Sequence, residues 1–155
     1  DENDSPALLH VLSEQNIRTH TYYYVRKDTT GRWVQTPITA SNHQWNSGYI
    51  RRDEKGHIHA YVIVGEGYLD LEGVNNTHGG GRIEQWISKD KGYTWRKHRD
   101  ISPDPKKYAG MRYNNVQPVL RPDGSAVDGM LLFYGWKHER EPDGIAFLLD
   151  ESDHA

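Results

Sequence analysis

From residue 20 onward, apolar and polar positions alternate in short runs broken by Gly, Asp and Asn. Alternation with period two places one side chain row on a buried face and the next in water, the mark of a half-buried strand. "THTYYYVRK", the turn "DTTG" and "RWVQTPI" read as strand, turn, strand. "SGYIRRD" and "HIHAYVIV" around "EKG" repeat that form, as do "GRIEQWIS" and "YTWRKHR" around "KDKG". "NVQPVLR" and "MLLFYGW" make a fourth hairpin, and "GIAFLLDE" supplies one more strand. The pattern predicts an all-β, antiparallel fold of nine strands. Helical spacing is confined to "SPALLHVLSEQ", which predicts a short helical turn before the first strand.

The third turn carries more than a loop needs. "SKDKGYTW" sets Ser88, Asp90, Gly92, Thr94 and Trp95 at fixed intervals. Gly92 can adopt the positive φ that a tight hairpin demands. Ser88 and Asp90 can hydrogen-bond loop backbone that no strand satisfies. Trp95 then opens the next strand with a large ring to pack. This S-x-D-x-G-x-T-W device resembles the Asp-box (BNR) repeat of sialidase-like β-propellers, in which it is structural and lies on the rim of a blade.

The resemblance extends along residues 36–150. "HQWN", "GGRIEQW" and "FYGWKH" are similar to segments of the ulvan-lyase-like branch of these proteins. It implies a β-propeller built from four-stranded antiparallel blades, of which residues 1–155 hold about two to three. Residues 20–36 would end one blade, 48–99 form a complete blade with the Asp-box, and 114–149 most of the next. A propeller closes with ~4–8 blades, so the chain is expected to be a portion of a larger propeller or to self-associate, with a small stand-alone β-sandwich as the alternative. The resemblance also implies a polysaccharide lyase acting on uronic-acid-containing glycans, secreted or periplasmic, with its signal segment not in this chain. At "NVQPVLRP" the chain keeps Asn115, Arg121 and Pro122 of the branch's pattern but lacks its His, its Tyr and its first Arg.

Composition narrows the functional classes. The chain has 155 residues, enough for one ordinary core. Its net charge is −3 with both signs interspersed, which excludes a basic nucleic-acid footprint. There is no cysteine, so disulfides, thiolate nucleophiles and Cys-ligated zinc drop out. No apolar run approaches the ~20 residues of a membrane-spanning helix. Aromatics reach 11%, mostly Tyr and Trp, rings that line carbohydrate clefts as readily as cores. The expected partner is therefore a polysaccharide or oligosaccharide, or the remainder of the propeller, rather than nucleic acid or membrane.

β-Elimination removes the proton beside a uronate carboxylate and expels the glycosidic oxygen. It needs a cation on the carboxylate, for which the Arg fork is best suited, a base near working pH, and an acid for the leaving oxygen. His43 follows the polar run "TASN" and is the candidate base or neutraliser. Arg112 and Tyr113 in "MRYNN" are the candidate neutraliser and proton donor. Asn46, Asn115, Gln117, Arg121, Trp136 and His138 are candidate substrate contacts. Each has an ordinary competing reading: a loop His, a solvated Arg, a packing aromatic, a plain strand amide. His57 and His59 share a strand face at i, i+2, yet no third ligand is fixed, so no metal or other cofactor is required and a divalent ion stays open. "GEGYLDLEGVNNTHGGG" reads as a Gly-rich loop bordering a groove, with His78 in it.

Two other functions fit the same pattern. A sialidase-type exo-glycosidase would need an arginine cluster, a Tyr nucleophile with a carboxylate partner, and an Asp acid. A non-catalytic carbohydrate-binding propeller would need none of these, and the residues missing at 115–122 favour it.

Overall fold

The computed structural model describes residues 6–13, 20–41, 47–67, 79–137 and 144–151. Ten antiparallel strands form three sheets. The first sheet joins β1 (Leu8–Ser13), β2 (His20–Lys27) and β3 (Trp33–Ser41) in that order. The second runs β4 (Tyr49–Arg52), β5 (Ile58–Val64), β6 (Arg82–Ser88) and β7 (Arg96–Asp100). The third contains β8 (Arg112–Leu120), β9 (Ala126–Trp136) and β10 (Ile145–Asp150), with β9 central.

Nine of these strands lie where the alternation predicts them. The tenth, β1, replaces the expected helical turn. Its register pairs Leu9 with Tyr24 and Val11 with Tyr22. Ala7, Leu9 and Val11 pack on the core while Leu8 and Leu12 stay exposed. Five apolar residues within six positions satisfy either period; the open edge of β2 decides for period two by supplying a ladder, which an isolated helical turn lacks.

The sheets stack face to face, with the second in the middle. All seven residues of β5 are buried, and successive side chains point to opposite faces. Ile58, Ala60, Val62 and Val64 meet Tyr22, Tyr24 and Ile38 of the first sheet. Tyr61 and Ile63 meet Met111, Tyr113, Val116, Leu131, Phe133 and Leu149 on the other side. Two cores thus flank one strand.

Candidate functional site

The stack has two chemically different ends. At one end every hairpin turn is anchored by an aspartate. In the 88–95 turn, Ser88 Oγ donates to Asp90 Oδ1 (2.8 Å) and accepts from the Gly92 amide (2.8 Å). Thr94 donates its amide to Asp90 Oδ1 (2.8 Å) and its hydroxyl to Oδ2 (2.6 Å). These bonds, Thr94's hydroxyl foremost, hold Asp90's carboxyl at about 2. Trp95 packs edge-on against Tyr24 of the first sheet, ring centroids 5.5 Å apart. The turn therefore clamps two sheets together.

Asp28 accepts from the amides of Thr30 and Arg32 in the β2–β3 turn. Asp53 accepts from those of Lys55 and His57 between β4 and β5, and Asp123 from Ser125 between β8 and β9. Arg121 belongs to this end: its guanidinium donates to the Ala126 carbonyl of its own turn. His57 and His59 both turn to Asp53, at 3.3 and 3.0 Å. Among the described residues, no three His, Cys, Asp or Glu are placed to hold a metal ion.

Beside these turns, a polar network crosses from the second sheet to the third. Glu151 accepts from Arg51 Nη2, Tyr61 Oη and Gln85 Nε2, each at 2.8 Å. Arg51 Nε also donates to Tyr61 Oη (2.9 Å), and Arg99 Nε to Gln85 Oε1 (2.8 Å). His59 links the set to Asp53 through Gln85. A Tyr, a Glu and two Arg are the residue types of a sialidase centre. Tyr61, however, is fully buried, and burial with the Glu151 charge pushes its hydroxyl up, away from a nucleophile's range. Its lone pairs are taken by Arg51 and Gln85. The network bonds sheets rather than substrates. Sequence reading missed it because its members come from four strands and the end of β10; the available signal was "IEQW", where Glu84 and Gln85 stand between Ile83 and Trp86 and are both buried.

The other end holds the elimination candidates that lie in the described residues. Arg112 opens β8 directly opposite Trp136, the last residue of β9. Cross-strand partners share a face with Cβ atoms ~4.5–5.5 Å apart, so a half-buried guanidinium lies beside a half-buried indole. Arg112 Nη1 donates to the Met111 carbonyl at 3.3 Å and to that of Gly110 at 3.4 Å. Gly80 exchanges both backbone bonds with Tyr113, at 3.0 and 2.8 Å, which pins the glycine run 79–81 against this corner. Gly80 has no room for a side chain: a Cβ would sit 2.6 Å from the Val64 carbonyl oxygen. A cation, an aromatic face and glycine backbone at one corner can receive a carboxylate-bearing sugar.

Tyr113 shares this end in backbone only. Alternation turns it to the face opposite Arg112, where it is 2% exposed and edge-on to Phe133 and Phe147. Burial raises its hydroxyl pKa and keeps it protonated. Adjacent strand residues cannot present both side chains to one ligand on one face, so the Arg112/Tyr113 pair is split. Asn115 is exposed at a bulge with φ 55°, its amide bonded to Asn114 Oδ1. Gln117 is also exposed. Arg121 is separated from Arg112 by the length of β8, ~30 Å at ~3.3 Å per residue. His43, Asn46, His78 and His138 lie outside the described residues.

No helix among the described residues is long and apolar enough to cross a membrane. Compared with family models, with curated proteins and with solved structures, the chain matches none.

Proposed function

We propose that the chain is part of a β-propeller that acts on uronic-acid-containing polysaccharides by β-elimination, and that Arg112 and Trp136 mark its glycan corner. One observation carries the reading: a formed S-x-D-x-G-x-T-W turn joins the third and fourth strands of a four-stranded antiparallel sheet, itself stacked between two more sheets. Leu148 (64% exposed) and Leu120 (59%) on the third sheet, and Leu8 on the first, are apolar surface that further blades would cover. Arg112 would neutralise the uronate carboxylate and Trp136 would stack on a sugar ring. His43 would take the proton, and the enzyme would be secreted or periplasmic.

A second reading, carbohydrate binding without turnover, is favoured by the burial of Tyr113, which takes the phenol expected as proton donor off the face that Arg112 shares with Trp136. Incubation with polyuronate and sulfated uronate glycans, followed by ultraviolet absorbance of the unsaturated product, separates the two. Turnover that Arg112→Ala lowers by about tenfold or more supports elimination. Saturable glycan binding with no absorbance, weakened by Trp136→Ala, supports binding alone. Absence of both overturns the glycan reading.

A further inference from the structure

The inward-facing row of β2 is His20, Tyr22, Tyr24 and Arg26. The last of these is unusual. Arg26 is 6% exposed, its guanidinium lies 4.0 Å above the Tyr93 ring, and its Nε has no hydrogen-bond partner. Leaving a buried charged donor unmatched is costly, so such groups are normally paired with an anion or ordered water. Arg26 lines a cavity of about 320 Å³ between the first and second sheets, at the aspartate-turn end. Arg52 and Lys91 enter it from the second sheet and Lys27 from the first, while among the described residues that line it Asp28 is the sole carboxylate. That carboxylate is already held by Thr30 and Arg32. Arg51 also lines the cavity, although its guanidinium is bonded to Glu151; in a chain of net charge −3, five cations against one carboxylate are a local reversal of sign.

The donors converge. Tyr24, Arg26 and Arg52 all line the cavity, so the two arginines and the tyrosine border a common volume. Arg52 passes close to Gly56, where an added Cβ would come within 3.0 Å of its Nη2. Ala7, Ile50 and Ile58 supply an apolar wall. The volume is about ten times the ~30 Å³ share of one water, more than a bare ion fills.

We infer that this cavity is a binding site for a sulfate or phosphate group, with Arg26 and Arg52 as its principal donors and room for the small polar molecule that carries the group. Guanidinium forks match tetrahedral oxyanions in geometry and charge, and the Tyr24 hydroxyl and Lys91 ammonium add donors from other directions. The site lies at the end of the stack opposite Arg112 and does not depend on the elimination reading.

Thermal melts and titration calorimetry with sodium sulfate, sodium phosphate, glucose 6-sulfate, glucose 6-phosphate and glucose, against sodium chloride at matched ionic strength, test it. Saturable stabilisation by the oxyanions, with none from glucose or chloride, is expected. Tighter binding of the esters than of the bare ions would assign the wall to the carrier, and equal binding would assign the site to the free ion; both support the oxyanion site. Arg26→Met, which keeps the stem over Tyr93, should weaken sulfate binding by about tenfold or more. Arg52→Gln should do the same and serves if the first variant does not fold. No saturation beyond chloride, or unchanged affinity in a folded variant of either arginine, overturns the proposal.

Discussion

Two glycines at matched turns offer a controlled test of how the 88–95 turn holds the sheets. Gly92 has φ +87° and Gly31, in the equivalent turn of the first sheet, has φ +82°. Replacing either with alanine forces an L-residue into left-handed backbone, at about 1–2 kcal/mol. Around Gly31 nothing lies within 4 Å of the new Cβ. At Gly92 the same atom would fall 2.3 Å from Tyr24 Cε1 and 2.5 Å from Cδ1. Tyr24 has little freedom to retreat, being buried and wedged edge-on against Trp95. Overpacking of this kind costs about 1–3 kcal/mol, so Gly92→Ala should destabilise by about 2–5 kcal/mol and Gly31→Ala by about 1–2 kcal/mol. The entropy that alanine removes from the unfolded chain is alike at both sites and cancels in the difference. Urea melts of both variants measure it. Tyr24→Leu combined with Gly92→Ala should recover about 1 kcal/mol or more as coupling. Equal destabilisation by the two alanines, within about 0.5 kcal/mol, would refute the claim that the turn backbone is pressed against the neighbouring sheet.

Acid should loosen the turns in a defined window. Asp90 and Asp53 are held at about 2 against an ordinary 3.8; for Asp53, burial pushes upward but the bonds from His59 and the His57 amide outweigh it. Because the folded values are depressed, their stabilisation is present above about pH 4 and is lost as pH falls through about 2. Melting temperature followed from pH 5 to 2 should therefore fall, and Asp90→Asn should flatten part of that slope; an unchanged slope would remove Asp90 from the acid response. Tyr61→Phe keeps the ring but takes the hydroxyl from Arg51, Gln85 and Glu151. A cost of about 1–3 kcal/mol in a denaturant melt is expected, and a neutral result would mean that the network closes without it.

Strand positions were legible because alternation and turn residues are local signals. β1 was not, since "LLHVL" obeys two periods and only the edge of β2 chooses between them. The candidate site was legible in residue type at Arg112 and Trp136, but their adjacency depends on the β8–β9 register, which includes shifts at Asn114/Gln117 and Pro118/Leu120. The same register turns Tyr113 inward, and strand direction carries Arg121 to the far end. The Glu151 network joins residues up to 100 positions apart and left no contiguous motif.

Every ladder among the named strands joins chain neighbours, β1 to β2 to β3, then β4 through β7, then β8 to β10, and none passes from one sheet to another. Backbone pairing within the sheets therefore closes short loops, apart from the long 65–81 connection between β5 and β6, while the longer-range cost falls on docking between finished sheets, the Gly80–Tyr113 bridge included. Folding kinetics follow from this: hairpins can form early and independently, and the slow step is the arrival of one sheet on the face of the next. A gene encoding such a chain can also lengthen by copying one meander without disturbing the pairing of its neighbours.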